Sequence, residues 1–110
     1  MKRLDKKYVF HIPLYRYENG TLELIDVDDV LDDLIGRLGD GSFDSLYVTK
    51  VESHYRSRRF DELLLTLFVE AHQCPEEIFG EWFRQNNGAL RQEEFAYECG
   101  NTLFIERLDP

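Results

Sequence analysis

The densest group of chemically able side chains runs through His54, Tyr55, Arg56, Arg58 and Arg59, with Asp61 and Glu62 just beyond. Arginine presents a fork of donors that matches a carboxylate or a phosphate, and histidine titrates near neutrality. This stretch is therefore the candidate binding site, suited to a small anion or an acidic protein partner. The competing reading is a solvated turn whose charges pair with Asp61 and Glu62 and keep a sheet edge from aggregating.

Asp28, Asp29, Asp32 and Asp33 form a second group, with carboxylates four residues apart on one side of a helix. A calcium loop needs a glycine turn and a terminal bidentate glutamate, and no such loop surrounds them. They read as a solvated helix face, or as a phosphate mimic that blocks a nucleic-acid-binding partner. His72 and Cys74 supply half of a zinc site at most, and the spacings that complete one are missing. As nucleophile and base the same pair lacks a third group to orient it. Gly36, Gly39 and Gly41 follow a helix instead of leading one, the wrong polarity for cradling phosphate. Trp82, Phe79 and Phe83 fall at helical spacing and read as core. No metal and no cofactor is expected, and no catalytic residue stands out.

Composition narrows the classes further. The 110 residues carry a net charge of −9, with 43% hydrophobic and 32% charged. That is one domain's length, 1–110, too apolar for a disordered chain and too polar for a membrane one. Residues 18–45 hold nine acids against Arg37 alone, while the first 17 residues and the stretch 50–59 are locally basic. An acidic chain repels nucleic acid and anionic membrane at long range, so direct binding to either is not expected. The basic first residues lead into strand-like alternation, not a signal peptide, which points to the cytoplasm. Cys74 and Cys99 are read as reduced thiols in that compartment.

The elements follow from periodicity. Tyr8, Phe10, Ile12 and Leu14 alternate with His11, Pro13, Tyr15 and Tyr17, predicting a strand with an edge, bulge or bend at Pro13. Asn19-Gly20 signals a two-residue turn, after which Thr21 to Ile25 either pairs back as a short strand or runs as a long loop into the helix. Val27, Val30, Leu31, Leu34, Ile35 and Leu38 make a complete helical stripe, with Asp26 placed to cap it. A strand over 45–55 and a doubly apolar strand over 60–71 follow, joined by a polar turn. Pro75 opens a second helix that Asn87-Gly88 should end. Glu94 to Cys99 and Thr102 to Leu108 close the chain as a hairpin around Gly100-Asn101 or as one interrupted strand.

That order, β-α-β-β-α-β with small hairpin extensions, predicts an α+β fold of ferredoxin-like architecture, its antiparallel sheet covered on one face by two helices. The other face would then carry Tyr15, Tyr17, Tyr47, Val51, Leu64 and Phe68. Such a surface needs cover, so these residues are the candidate interface of a homodimer. The resulting expectation is a non-enzymatic binding or regulatory module acting as a homo-oligomer. A small-molecule pocket lined by tyrosine, histidine and arginine is the alternative, and Tyr15 and Tyr17 beside His11 could line one.

Overall fold

The computed structural model describes residues 1–108. Alternation decides the first strand, β1 (Lys6–Pro13): Tyr8, Phe10 and Ile12 are buried, and the residues between them are not. Pro13 ends the strand and the chain bends at Leu14, as its missing donor requires. The segment expected to continue β1 therefore leaves the sheet. It forms a separate two-stranded ribbon, β2 (Tyr15–Glu18) with β3 (Thr21–Leu24), closed by Asn19 and Gly20 at φ 52° and 78°. Both positive values suit the residues, since asparagine and glycine tolerate the left-handed region.

Helix α1 (Asp28–Asp40) buries Leu34 and Leu38. Val27 occupies the N-cap, and Asp26 Oδ1 accepts the Asp28 N–H from one residue further out, at 3.3 Å. Next come β4 (Leu46–Tyr55) and β5 (Arg58–Val69), then α2 (Glu76–Leu90), then β6 (Glu94–Cys99) and β7 (Thr102–Arg107). The five-stranded antiparallel sheet runs β4-β5-β1-β6-β7.

Helix α2 runs through Asn87-Gly88 to Leu90, where Arg91 takes the left-handed conformation at φ 50°. Burying Leu90 completely outweighs the local stop signal, and Asn87 instead exchanges two hydrogen bonds with Gln92 in the loop beyond. Both helices cover one face of the sheet, because their buried side chains share a single core with Tyr8, Phe10, Ile12, Leu65, Leu67 and Phe95. Phe79 of α2 stacks on Phe10 at 4.3 Å between ring centroids, and Trp82 donates to the Val30 carbonyl of α1 at 2.7 Å. That last bond satisfies the one polar atom of a fully buried indole. Among the described residues no helix is long and apolar enough to cross a membrane.

Candidate functional site

Strand register builds the site on the face that the helices leave open. Opposite residues in an antiparallel pair share a face, so Tyr8↔Leu67 and Phe10↔Leu65 lie under the helices. Val9↔Thr66, His11↔Leu64 and Pro13↔Glu62 lie on the other side. Glu98 of β6 stands opposite Val9, diagonal to His11, and Ser53 of β4 stands opposite Phe60, diagonal to Glu62. Three neighbouring strands and β4 beyond them thus bring four polar side chains to one spot.

The four are bonded to one another. His11 Nε2 lies 2.6 Å from Glu98 Oε2, and His11 Nδ1 lies 3.3 Å from Glu62 Oε1. Ser53 Oγ donates to Glu62 Oε1 at 2.7 Å. With a carboxylate at each ring nitrogen, the doubly protonated imidazolium is the form that satisfies both. The Glu62 hydrogen bond raises the His11 pKa most; burial opposes it, and Glu98 adds to the rise. For Glu62 burial by itself would raise the pKa, but the hydrogen bonds from His11 and Ser53 prevail and hold it below the ordinary carboxyl range. Glu62 is more enclosed than His11 or Glu98, its side chain 17% exposed against 24% and 41%.

This charged centre sits in an apolar frame. Tyr47, Phe68, Leu103 and Ile105 are exposed around it, with Val51 and Leu64 half-buried between them. Two carboxylates and one imidazolium leave one negative charge. The arrangement is chemically suited to hold a single organic cation, with apolar surface beside it for the ligand's body.

The residues expected from the sequence are divided. His54, Tyr55, Arg56, Arg58 and Arg59 lie at the exposed tip of the β4–β5 hairpin, away from the charged centre. There His54 and Arg59 both bind Glu52, at 2.7 and 2.9 Å, and the His54 hydrogen bond is the main cause that lowers the Glu52 pKa. Arg56 lies over the Tyr55 ring and Arg58 over the Tyr17 ring. Tyr47, Val51, Leu64 and Phe68 do share the open face. Tyr15 and Tyr17 do not, because the bend after Pro13 carries them onto the β2–β3 ribbon. Cys74 and Cys99 are free thiols, and among the described residues no cluster of histidine, cysteine and carboxylates could hold a metal.

Sequence reasoning passed over Glu98 and Ser53, and took Glu62 as a local partner for arginines. The only visible signal was His11, an ionisable residue in the middle of an apolar strand.

Against known proteins, no family model matches the chain, and no curated protein matches it by sequence. Solved structures do match. A phage SAM lyase in complex with S-methyl-5'-thioadenosine aligns with a TM-score of 0.64 at 11% identity, covering 98% of this chain and 95% of that one. A phage SAM lyase in the apo state aligns at 0.58 and 13% identity, covering 99% and 96%. The likeness spans nearly all of both chains and shows a shared fold. The matched structures are of an enzyme, which overturns the expectation of a non-enzymatic module working through its sheet face; that expectation rested on the apolar and aromatic residues placed on the face, which in the structure surround a bonded cluster of ionisable groups.

Proposed function

We propose that this chain is an enzyme acting on a sulfonium nucleoside of the S-adenosylmethionine class, with its charged centre at His11, Glu62 and Glu98. The observation that carries this reading is the whole-chain likeness to phage SAM lyase, at a TM-score of 0.64. The four strands that hold the centre, in the order β4-β5-β1-β6, are read as the split βαβ arrangement of ferredoxin-like folds with β7 added at one edge. Fold alone does not dictate function, so the site must account for the chemistry.

S-methyl-5'-thioadenosine is S-adenosylmethionine without its four-carbon amino-acid arm. Releasing it breaks the bond from sulfur to that arm: the sulfur keeps the electron pair and becomes a neutral thioether, while an oxygen of the arm's own carboxylate bonds to the vacated carbon and closes a lactone. A carboxylate bound to the sulfonium would stabilise the charge that the reaction destroys, and so would oppose it. A carboxylate on the arm's ammonium, whose charge persists, anchors the substrate without that opposition. The single net negative charge of the centre matches one ammonium. Glu62, held below its ordinary range, is a poor proton acceptor and a good permanent anion, which suits anchoring. In this reading Glu62 and Glu98 bind the ammonium, and His11 and Ser53 position Glu62. The half-buried Val51 and Leu64 exclude water from the breaking bond.

Incubation with S-adenosylmethionine, followed by chromatography for S-methyl-5'-thioadenosine, tests the reading. Release should exceed the spontaneous rate in buffer, and Glu62→Gln should cut it by about tenfold or more, the loss of a charge-assisted contact worth ~1.5–3 kcal/mol. A wild-type rate equal to that of buffer alone overturns it.

A further inference from the structure

A groove adjoins the charged centre, and its walls differ in character from the open face. β1 pairs with β5 only as far as Pro13↔Glu62. Before Glu62, residues Arg59 to Asp61 have β4 on one side and, among the described residues, no paired strand on the other. The β2–β3 ribbon stands across from that free edge and leaves a groove of about 330 Å³, lined by Tyr15, Leu22, Arg59, Phe60 and Asp61. This volume is within the range of small-molecule sites, roughly 300–1,000 Å³.

The far wall is fixed. Arg16 Nη1 donates to the Ala89 carbonyl at 2.9 Å, Gln92 Nε2 to the Tyr15 carbonyl at 2.8 Å, and Arg91 pairs with Glu18 at 2.6 Å. The ribbon is thereby docked on the C-terminal end of α2, where unpaired carbonyls welcome cationic donors. A pinned wall facing a rigid strand makes a preorganised slot.

We propose that this groove is the nucleobase subsite of the enzyme, an inference that rests on the sulfonium-nucleoside reading and extends it. Tyr15 and Phe60 supply half-buried aromatic surface for a planar base. The free edge of β5 supplies unpaired main-chain donors and acceptors, the groups that can read the polar rim of such a base. Arg59 and Asp61 project to the other face of β5, where Arg59 pairs with Glu52 and Asp61 lies 3.7 Å from Lys50, so on the open face the ribose meets Phe60 and the main-chain edge. Phe60 and Glu62 share a face of β5 two residues apart, about 7 Å along the strand. That step is the length of a ribose, so a base in the groove places the sulfur and its arm at the charged centre.

Neutral ligands separate this inference from the lyase reading. Binding of S-methyl-5'-thioadenosine and of adenosine would be measured by calorimetry or protein NMR, alongside cleavage of S-adenosylmethionine. Leu22 is 42% exposed, so Leu22→Trp fills the groove without disturbing the core. Phe60→Ala removes one aromatic wall. Each should weaken both neutral ligands about tenfold or more, the usual scale for losing a base–aromatic contact. If the wild type cleaves the sulfonium but both variants bind neutral nucleosides normally, the subsite is wrong and the lyase reading stands. If nucleosides bind in the groove without any cleavage, the subsite stands and the lyase reading fails. If the wild type binds neither nucleoside, the subsite is wrong.

Discussion

The two faces of one sheet divide the labour of this molecule. Tyr8, Phe10 and Ile12 of β1 are buried under the helices, while Val9, His11 and Pro13, interleaved with them, are only half-buried on the open side. On the covered face Phe10, Phe79, Phe83, Phe95 and Tyr97 form a continuous set of stacked and edge-on rings. On the open face the same strands keep an imidazole between two carboxylates. A dry interior would push a histidine toward its neutral form and a glutamate toward its protonated one. Placed one residue over, both keep water and hydrogen-bonding partners, which raise the His11 pKa and lower that of Glu62. A period of two thus lets stability and chemistry occupy the same strands without competing.

Truncating a ring on each face tests that division, and gives the largest expected effect. Phe79→Ala should cost ~3–5 kcal/mol, since the residue is fully buried and contacts five other rings on α2 and the sheet. Phe68→Ala on the open face, where the residue is 37% exposed, should cost under about 1 kcal/mol. Urea denaturation of the two variants measures both. Equal losses would mean that the open face is as much a part of the core as the covered one.

Breaking the charged centre is the next largest. Glu62→Gln removes one carboxylate from His11 and should destabilise by ~1–2 kcal/mol, less than for a dry pair because the cluster is partly hydrated. The pH dependence carries the sign. The His11 pKa is raised on folding, so its contribution is complete below the ordinary imidazole value of about 6.5 and is lost as pH rises through the folded value. The Glu62 pKa is lowered, so its contribution is present above the ordinary carboxyl range and is lost as pH falls through its folded value. Stability should therefore be highest between those limits and decline on the alkaline side as His11 loses its proton. Thermal melts from pH 5 to 9 would show that decline, and Glu62→Gln should flatten it. An NMR titration giving His11 an ordinary or lowered pKa would dissolve the cluster as described.

How much of this was legible in the sequence follows from the range of the signals. The stripe from Val27 to Leu38, the alternation from Tyr8 to Ile12 and the Asn19-Gly20 turn are local patterns, and each produced the element it announced. The two-helix antiparallel α+β arrangement follows from their order. The charged centre is another matter. His11 and Glu98 are separated by 87 positions, and they meet only through the register of β1 against β6. No periodicity encodes register between strands so far apart. Tyr15 and Tyr17 were assigned to the sheet because alternation continues past Pro13, although the backbone does not. The arginines drew attention because they are adjacent in sequence, whereas the residues that bond to one another come from three separated strands and a fourth beside them.

The smallest expected effect comes from comparing two turns of the same kind. In the β2–β3 ribbon the positive φ values fall on Asn19 and Gly20; in the β4–β5 hairpin they fall on Arg56 and Ser57, at 51° and 64°. A left-handed conformation costs an ordinary residue about 1–2 kcal/mol, because Cβ crowds the following carbonyl oxygen. Arg56→Asn with Ser57→Gly should relieve part of that cost. Against the gain stand the greater freedom of glycine in the unfolded chain, ~0.4–1 kcal/mol, and the loss of the Arg56 stack on Tyr55, ~0.5–1 kcal/mol for an exposed pair. The double variant should therefore be more stable by under about 1 kcal/mol, a rise of a few degrees in melting temperature for a chain of this size. The same protein bears on the hairpin tip as a binding site. A variant that is more stable yet equals the wild type in the proposed cleavage and nucleoside binding would place Arg56 outside the site and explain its strained backbone as tolerated. A variant that is more stable but loses ligand affinity would show that the hairpin keeps its left-handed arginine for a contact with substrate.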